Sequence, residues 1–288
     1  MRDRRLFSLI VPVVLVSVAV LAQSPGQLPL EPIRDSGQSI TGAFEGWYPD
    51  ADGSFSVLVG YFNRNSKQAV DIVVGPNNKI EPGDPDRGQP THFLPRRQWG
   101  VFAIRVPKDF GTQKLTWTIT ANGQTTAIPL HLNPLWVVEP LKDAALGNTP
   151  PTIKFAADGK PFQGPPVGFA TTYSTTLSEP LALDVWVADD GVLPPERSAN
   201  AGRGGTRAPA TLSWSKYRGP GSVTFENVRP PVNATDGKAS TTAKFDLAGE
   251  YILRLQANDS SGEGGGGFQC CWTNAHVKVA VTGTPTSK

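Results

Sequence analysis

Beyond residue 22, apolar residues recur at every second position in short runs, and a helical period is hard to find. Phe55, Val57, Val59 and Tyr61 share one face of such a run. Leu181, Leu183, Val185 and Val187 do the same, as do Tyr251, Leu253, Leu255 and Ala257, and then Val277, Val279 and Val281. Successive side chains of a strand point to opposite faces, so this pattern predicts strands with one face in a core and one face polar. Clusters of Gly, Pro, Asn and Asp separate the runs, which is the punctuation of an all-β sandwich.

In the first half the spacing predicts strands over Phe44–Tyr48, Ser54–Phe62, Val70–Val74, Gln98–Val106, Lys114–Thr120 and Thr125–Leu132. Asn122-Gly123 joins the last two. Both central positions of a type I′ turn need positive φ, so this dipeptide between alternating runs marks a hairpin. A turn-rich stretch, Glu81 to Thr91, interrupts the pattern. Seven or so strands within 41–133 predict an immunoglobulin-like or related sandwich. The run Pro90-Thr-His92-Phe-Leu-Pro-Arg96-Arg97-Gln-Trp99 gathers a histidine, two arginines and a tryptophan. Its simplest account is a loop entering a strand whose Trp99 caps the core. Asp50, Asp52, Asp84 and Asp86, and in the second half Asp189, Asp190 and Asp259 at strand ends, are oxygen ligands of the kind calcium takes, and turn and capping chemistry explains them as well.

Residues 134–147, with Pro134 and Pro140, form a predicted linker. From Asn148 to about 284 the chain resembles a polycystic-kidney-disease (PKD)-type immunoglobulin-like domain. The resemblance rests on Asn148-Thr-Pro-Pro-Thr-Ile, on Leu181-Ala-Leu-Asp-Val-Trp-Val-Ala-Asp-Asp-Gly191 and on Thr211-Leu-Ser-Trp214, followed by Gly219-Pro220. It rests also on Phe245-Asp-Leu-Ala-Gly249-Glu-Tyr251. It implies two packed sheets, Trp214 between them, a tyrosine corner at Tyr251, and a role in adhesion, spacing or carbohydrate association rather than catalysis. The expected fold is therefore all-β, two tandem immunoglobulin-like β-sandwich domains after a signal peptide.

The signal peptide is read from Arg2, Arg4 and Arg5, an apolar run from Leu6, and small residues before a cut after Ala22. The run, about 17 residues, is at the short edge of a bilayer span, so membrane attachment is expected only if residues 1–22 are retained. Residues 23–40 are polar and Pro-rich, a predicted flexible lead-in. Removing the leader lowers Lys+Arg from 27 to 24 and Asp+Glu from 25 to 24. The near-neutral remainder has no basic field to recruit nucleic acid. The expected location is secreted or periplasmic.

Two loops depart from the PKD pattern. Val192 to Pro209 inserts roughly 18 residues, long for a compact domain. The stretch Gly262-Glu-Gly-Gly-Gly-Gly-Phe-Gln-Cys270-Cys271-Trp272 is the second, and it carries the only two cysteines. In immunoglobulin topology the B–C and F–G loops share a pole. Arg197, Arg203 and Arg207 of one loop should therefore meet Cys270, Cys271 and Trp272 of the other. The adjacent cysteines could close a vicinal disulfide, bridge two chains, or remain thiols. With His276, which alternation turns away from the core toward solvent, they are also ligand types for copper(I) or zinc. Trp272 and the cysteine pair would then form an apolar platform and the arginines polar or anionic contacts.

No HExxH, GxSxG or phosphate-loop motif is present, and no enzymatic activity is expected. The expected function is a non-catalytic binding or scaffolding protein of the cell envelope, contacting a glycan or an envelope protein. A redox or metal-handling accessory protein and a pure spacer are the alternatives. No cofactor is required, with calcium or copper the candidates.

Overall fold

The computed structural model describes residues 34–143, 147–192, 210–259 and 271–283. The predicted signal peptide lies outside them. The described residues belong to one unit and are built almost wholly of strands.

In the first half, β1 (Ile40–Pro49), β2 (Phe55–Asn63) and β6 (Arg96–Val106) form one antiparallel sheet in the order β1-β2-β6. A second contains β4 (Asn78–Glu81), β7 (Lys114–Ala121) and β8 (Gln124–His131), and the short β3 (Val70–Asp71) pairs with β5 (His92–Phe93). The inward positions, among them Val57, Val59, Tyr61, Ile80, Phe93, Phe102, Trp117 and Leu130, form one apolar cluster. Asn122 and Gly123 both have positive φ (49° and 75°), the hairpin geometry their identity demands.

The sequence pattern does not reveal β4 and β5, which are too short to show a period. They are held by polar groups instead. Asn78 is fully buried; its Nδ2 donates to the carbonyls of Ile72 and Pro90, and its Oδ1 accepts from the Trp117 indole. Each buried polar atom is thereby satisfied, as stability requires. The predicted lead-in and linker are also tied down where they are described. Arg34 pairs with Asn65, and the Gln38 amide donates to the Asn65 side chain. Past a 3-10 turn at Pro134–Trp136, the Val138 amide donates to Trp47 of β1.

In the second half β10 (Thr171–Thr176), β16 (Trp272–Thr282), β15 (Gly249–Asp259) and β12 (Ala210–Arg218) form one sheet in that order. The other contains β13 (Val223–Phe225), β14 (Lys238–Phe245), β11 (Leu181–Ala188) and β9 (Thr152–Lys154). The alternating residues predicted from sequence form its core, with Trp214 buried between the sheets beside Phe155 and Phe225. The Tyr251 hydroxyl donates to the Leu247 carbonyl at 2.8 Å and accepts from the Gly221 amide at 3.1 Å, a tyrosine corner. This half is an immunoglobulin-like sandwich.

The two halves share a polar seam. β6 bulges: Phe102 faces Val59 and Gln98 faces Tyr61, so three residues, Trp99 to Val101, oppose Gly60 alone. A bulge leaves ladder groups unpaired, and here the outer face of the β10-β16-β15-β12 sheet takes them up. Arg254 donates through Nη2 to the Trp99 carbonyl and through Nη1 to Gln98 Oε1, both at 3.1 Å. Asn274 Nδ2 donates to the Gly100 carbonyl at 3.0 Å, and His276 Nε2 to the Val101 carbonyl at 3.1 Å. From behind, the buried Glu45 carboxylate accepts from the Gly100 amide and from Arg97. Farther along, Arg218 grips Asp86 with both terminal nitrogens.

Candidate functional site

The two long insertions are described only at their roots. Ala210, which follows the first long insertion, pairs with Asp259, which precedes the second; Asn258 pairs with Trp272, which ends it. The first insertion leaves β11 of the other sheet and returns at the same end of the β12-β15-β16 sheet from which the second leaves and to which it returns. Arg197, Arg203, Arg207 and Cys270 lie outside the described residues. Cys271 is buried, its sulfur 3.5 Å from the Asn148 carbonyl, and its carbonyl accepts from the Asp259 amide. Among the described residues no cysteine carries a free thiol.

Two expectations need correction. Trp272 is 1 % exposed, with its six-membered ring against Gly100, so the indole offers no open face to a ligand. His276 does turn away from its own core, as alternation predicts, but that face is covered by β6 and the imidazole is 8 % exposed. Burial, with Arg254 nearby, pushes its pKa down to about 3. A carbonyl only accepts, so the Val101 contact places the proton of this neutral ring on Nε2. β16 is extended, and at strand rise five residues separate Cys271 and His276 by about 16 Å. Zinc–sulfur and zinc–nitrogen bonds are about 2 Å. The pair cannot share one ion, and the three-residue metal site fails on that geometry.

The acidic candidates are engaged as turn and pairing groups. Asp86 holds Arg218 and caps the Gly88 amide, and Asp52 meets Arg105 and Ser54. Asp190 accepts from Thr149. Asp189 is different: burial raises its pKa to about 6, with the Asp259 and Asp190 charges adding to it. Its Oδ2 accepts from the Gly191 amide, while its Oδ1 is buried with no hydrogen bond.

Beside the pole lies a groove of about 600 Å³. Its floor is the part of the second sheet's outer face that β6 leaves uncovered. Thr211 pairs across with Asn258, and Ser213 with Gln256, so their side chains make a small polar grid. The Arg97–Trp99 segment walls one side and the Arg229–Val232 segment the other. The second wall is placed by the bond from the Trp214 amide to the Val228 carbonyl. Trp99 is not the core cap its sequence context suggests. It is half-buried at the rim with the Arg97 guanidinium 3.7 Å from its ring centroid. Arg97 is fixed in turn by Glu45 and by the Tyr61 carbonyl. Burial raises the Glu45 pKa, and Arg97 acts against that rise.

Sequence reasoning noticed Trp99 and Arg97 but missed Arg254, Thr211, Ser213 and Gln256. The available signal was Arg254 itself, a charge set among the apolar residues Tyr251 to Leu255. No helix among the described residues is long and apolar enough to cross a membrane.

No family model matches this chain, and no curated protein sequence matches it. Among solved structures it is similar to domains 4 and 5 of the S-layer protein SbsC, at 10% identity and a TM-score of 0.24, covering 85% of this chain and 98% of that one. It is similar also to the D00-D0 domain of intimin, at 11% identity and a TM-score of 0.27, covering 85% and 100%. Strand order and cores give the fold: the described residues are nearly all β, with an immunoglobulin-like sandwich in the second half.

Proposed function

We propose that this is an exported, non-catalytic binding or scaffolding protein of the cell envelope. It is built of two tandem immunoglobulin-like domains, the second PKD-like, and it contacts a glycan or an envelope protein from the loop pole of the second domain. The observation that carries this reading is the return of the first long insertion beside the root of the second, at the Ala210–Asp259 pair. Elaborated loops on a rigid sandwich are where such folds place recognition. The seam supports the scaffolding part, because charged and amide side chains that pair with backbone carbonyls resist relative motion of the halves.

In this reading Arg197, Arg203 and Arg207 supply polar contacts, and Cys270 and Cys271 form a vicinal disulfide that stiffens the loop end. The test is capture from solubilised envelope by the immobilised mature protein, beside a variant with Arg197, Arg203 and Arg207 changed to Ala. A partner or polysaccharide retained by the wild type and lost by the variant is the expected result. Equal retention by both would reject the pole. Intact mass after alkylation checks the bridge, which predicts a monomer about two daltons light and unmodified.

A further inference from the structure

We infer that the outer edge of β10 (Thr171–Thr176) is a docking edge for a second copy of this chain, joined through an antiparallel β10–β10 pair about a two-fold axis. The inference goes beyond the proposed function and uses a different surface, so neither depends on the other.

The edge is open. β10 pairs with β16 on one side and, among the described residues, with no strand on the other. The pairing is parallel, with Thr171 beside Val277, and the Leu177 amide donates to the Thr282 carbonyl. Backbone groups alternate in direction along a strand, so that bond sets the parity. Odd-numbered residues bond β16, and the amides and carbonyls of Thr172 and Ser174 point outward. Both residues are exposed, whereas Tyr173 packs on the core.

Other sheet edges are covered or blunted. Ile153 of β9 exchanges both backbone bonds with Phe162. β12 is met by the Val228 carbonyl and the Thr91 amide, and β1 by the Val138 amide. β8 carries Pro129. Edges that stay open in monomers are guarded by charge, proline or a bulge. β10 has none of these. Its sequence, Thr-Thr-Tyr-Ser-Thr-Thr, is uncharged, its register with β16 is unbroken, and Thr and Tyr favour strands.

The sequence of this edge also says which strand it fits. It is nearly symmetric about Tyr173, with Thr172 matching Ser174 and Thr171 matching Thr175. A two-fold contact must be self-complementary, residue i meeting j while j meets i. An axis perpendicular to the sheet at Tyr173 meets that condition and keeps core-side residues opposite core-side residues. Thr172 then opposes Ser174 of the second copy, each pair exchanging both backbone bonds, and these are the residues whose groups point outward. Thr171 opposes Thr175, and Tyr173 opposes its own counterpart, in the closer non-bonded positions. Thr–Thr, Thr–Ser and aromatic pairs are the cross-strand neighbours that stabilise antiparallel strands. A slip of one residue would turn core-side positions onto the outer face. An uncharged edge does not repel its own copy, and it gives no electrostatic preference to an acidic or basic foreign strand. The pair joins two four-stranded sheets into one continuous sheet. One six-residue strand is a small contact, in the class below roughly 1,200 Å² that forms transient complexes, so the dimer is weak and concentration-dependent.

The experiment is sedimentation velocity of the full mature chain from about 1 μM to about 1 mM, the range of weak association. A reversible monomer–dimer equilibrium is expected, and non-reducing gels separate it from any disulfide-linked dimer. Thr172→Lys with Ser174→Lys sets like charges opposite each other on solvent-facing positions and should weaken the dimer about tenfold or more. Thr172→Glu with Ser174→Glu should do the same. Mixed together, the two double variants should associate more tightly than either does alone, because each lysine then opposes a glutamate. Thermal midpoints close to wild type show that both variants keep the fold. A wild type that stays monomeric over the whole range overturns the proposal, and so does a dimer that both double variants leave unchanged. A mixture no tighter than its components overturns the two-fold register. A chain that stays monomeric yet binds a synthetic peptide of residues 168–178 would have an edge that takes a foreign strand, which overturns the second copy as its occupant.

Discussion

The indole of Trp272 lies on Gly100, a residue with φ of +50° at the centre of the β6 bulge, and a Cβ at that position would overlap the ring. This one contact joins a strand near the end of the chain to a bulge in its first half. It requires glycine twice, for the left-handed backbone and for the space.

Gly100→Ala should therefore destabilise the protein by about 2–4 kcal/mol, adding backbone strain to overlap in a packed seam. Gly53→Ala is the control, since Gly53 also has positive φ (84°) but faces open space; strain alone should cost it about 1 kcal/mol. Urea unfolding of both variants separates the two contributions. Equal midpoints would mean that the seam gives way around an added methyl.

Arg254→Met keeps the aliphatic stem and removes the guanidinium. It leaves Gln98 Oε1 and Asn274 Oδ1 without their donor, and the Trp99 carbonyl with only the 3.5 Å contact from Asn274 Nδ2. Breaking such a buried network costs about 2–4 kcal/mol. Arg254→Lys should recover only part of that, because an ammonium cannot span the three acceptors as a planar fork does. Denaturant midpoints decide it, and amide exchange at residues 98–101 should accelerate in Arg254→Met.

His276 makes stability depend on pH. Its pKa falls from 6.5 to about 3 on folding, because burial and Arg254 disfavour the imidazolium. The unfolded chain thus binds a proton that the folded one refuses. Stability from this group is complete above about pH 6.5 and is lost progressively as pH falls toward 3. His276→Gln keeps a donor for Val101 without titrating. The wild type should lose more of its thermal midpoint than His276→Gln between pH 7 and pH 4, and parallel curves would contradict the assignment.

Asp189 works in the opposite sense. Its pKa rises from 3.8 to about 6, so the folded state prefers the protonated acid, and stability falls as pH increases through that window. Asp189→Asn removes the charge that Asp259 and Asp190 repel. Its thermal midpoint should exceed the wild type's at pH 8, and the difference should shrink toward pH 4. An Asn variant less stable at pH 8 would show that the carboxylate is needed as an ion.

Much of the fold was legible because a strand announces itself by period two. Trp214, Tyr251 and the Asn122-Gly123 turn carry their geometry in their identity, and the structure has each in that geometry. That the first insertion ends beside the roots of the second also followed from topology. β4 and β5 were not legible, since their existence depends on Asn78 and Trp117 reaching across 39 residues. The candidate site was legible in part. Arg97 and Trp99 stood out as chemistry, whereas Ser213 and Gln256 are ordinary outward-facing polar residues until a wall rises on each side of them.

The sequence by itself determined the longer strands, the two faces of each, and the core that each inward face builds, because alternation is a local property. Only the tertiary structure decided what the outward faces meet. His276 and Trp272 sit on the side that alternation assigns to water, and a bulge in β6, separated from His276 by 175 residues, covers them. A period of two distinguishes one face from the other; whether the second face is wet or buried depends on long-range packing, which no local pattern records.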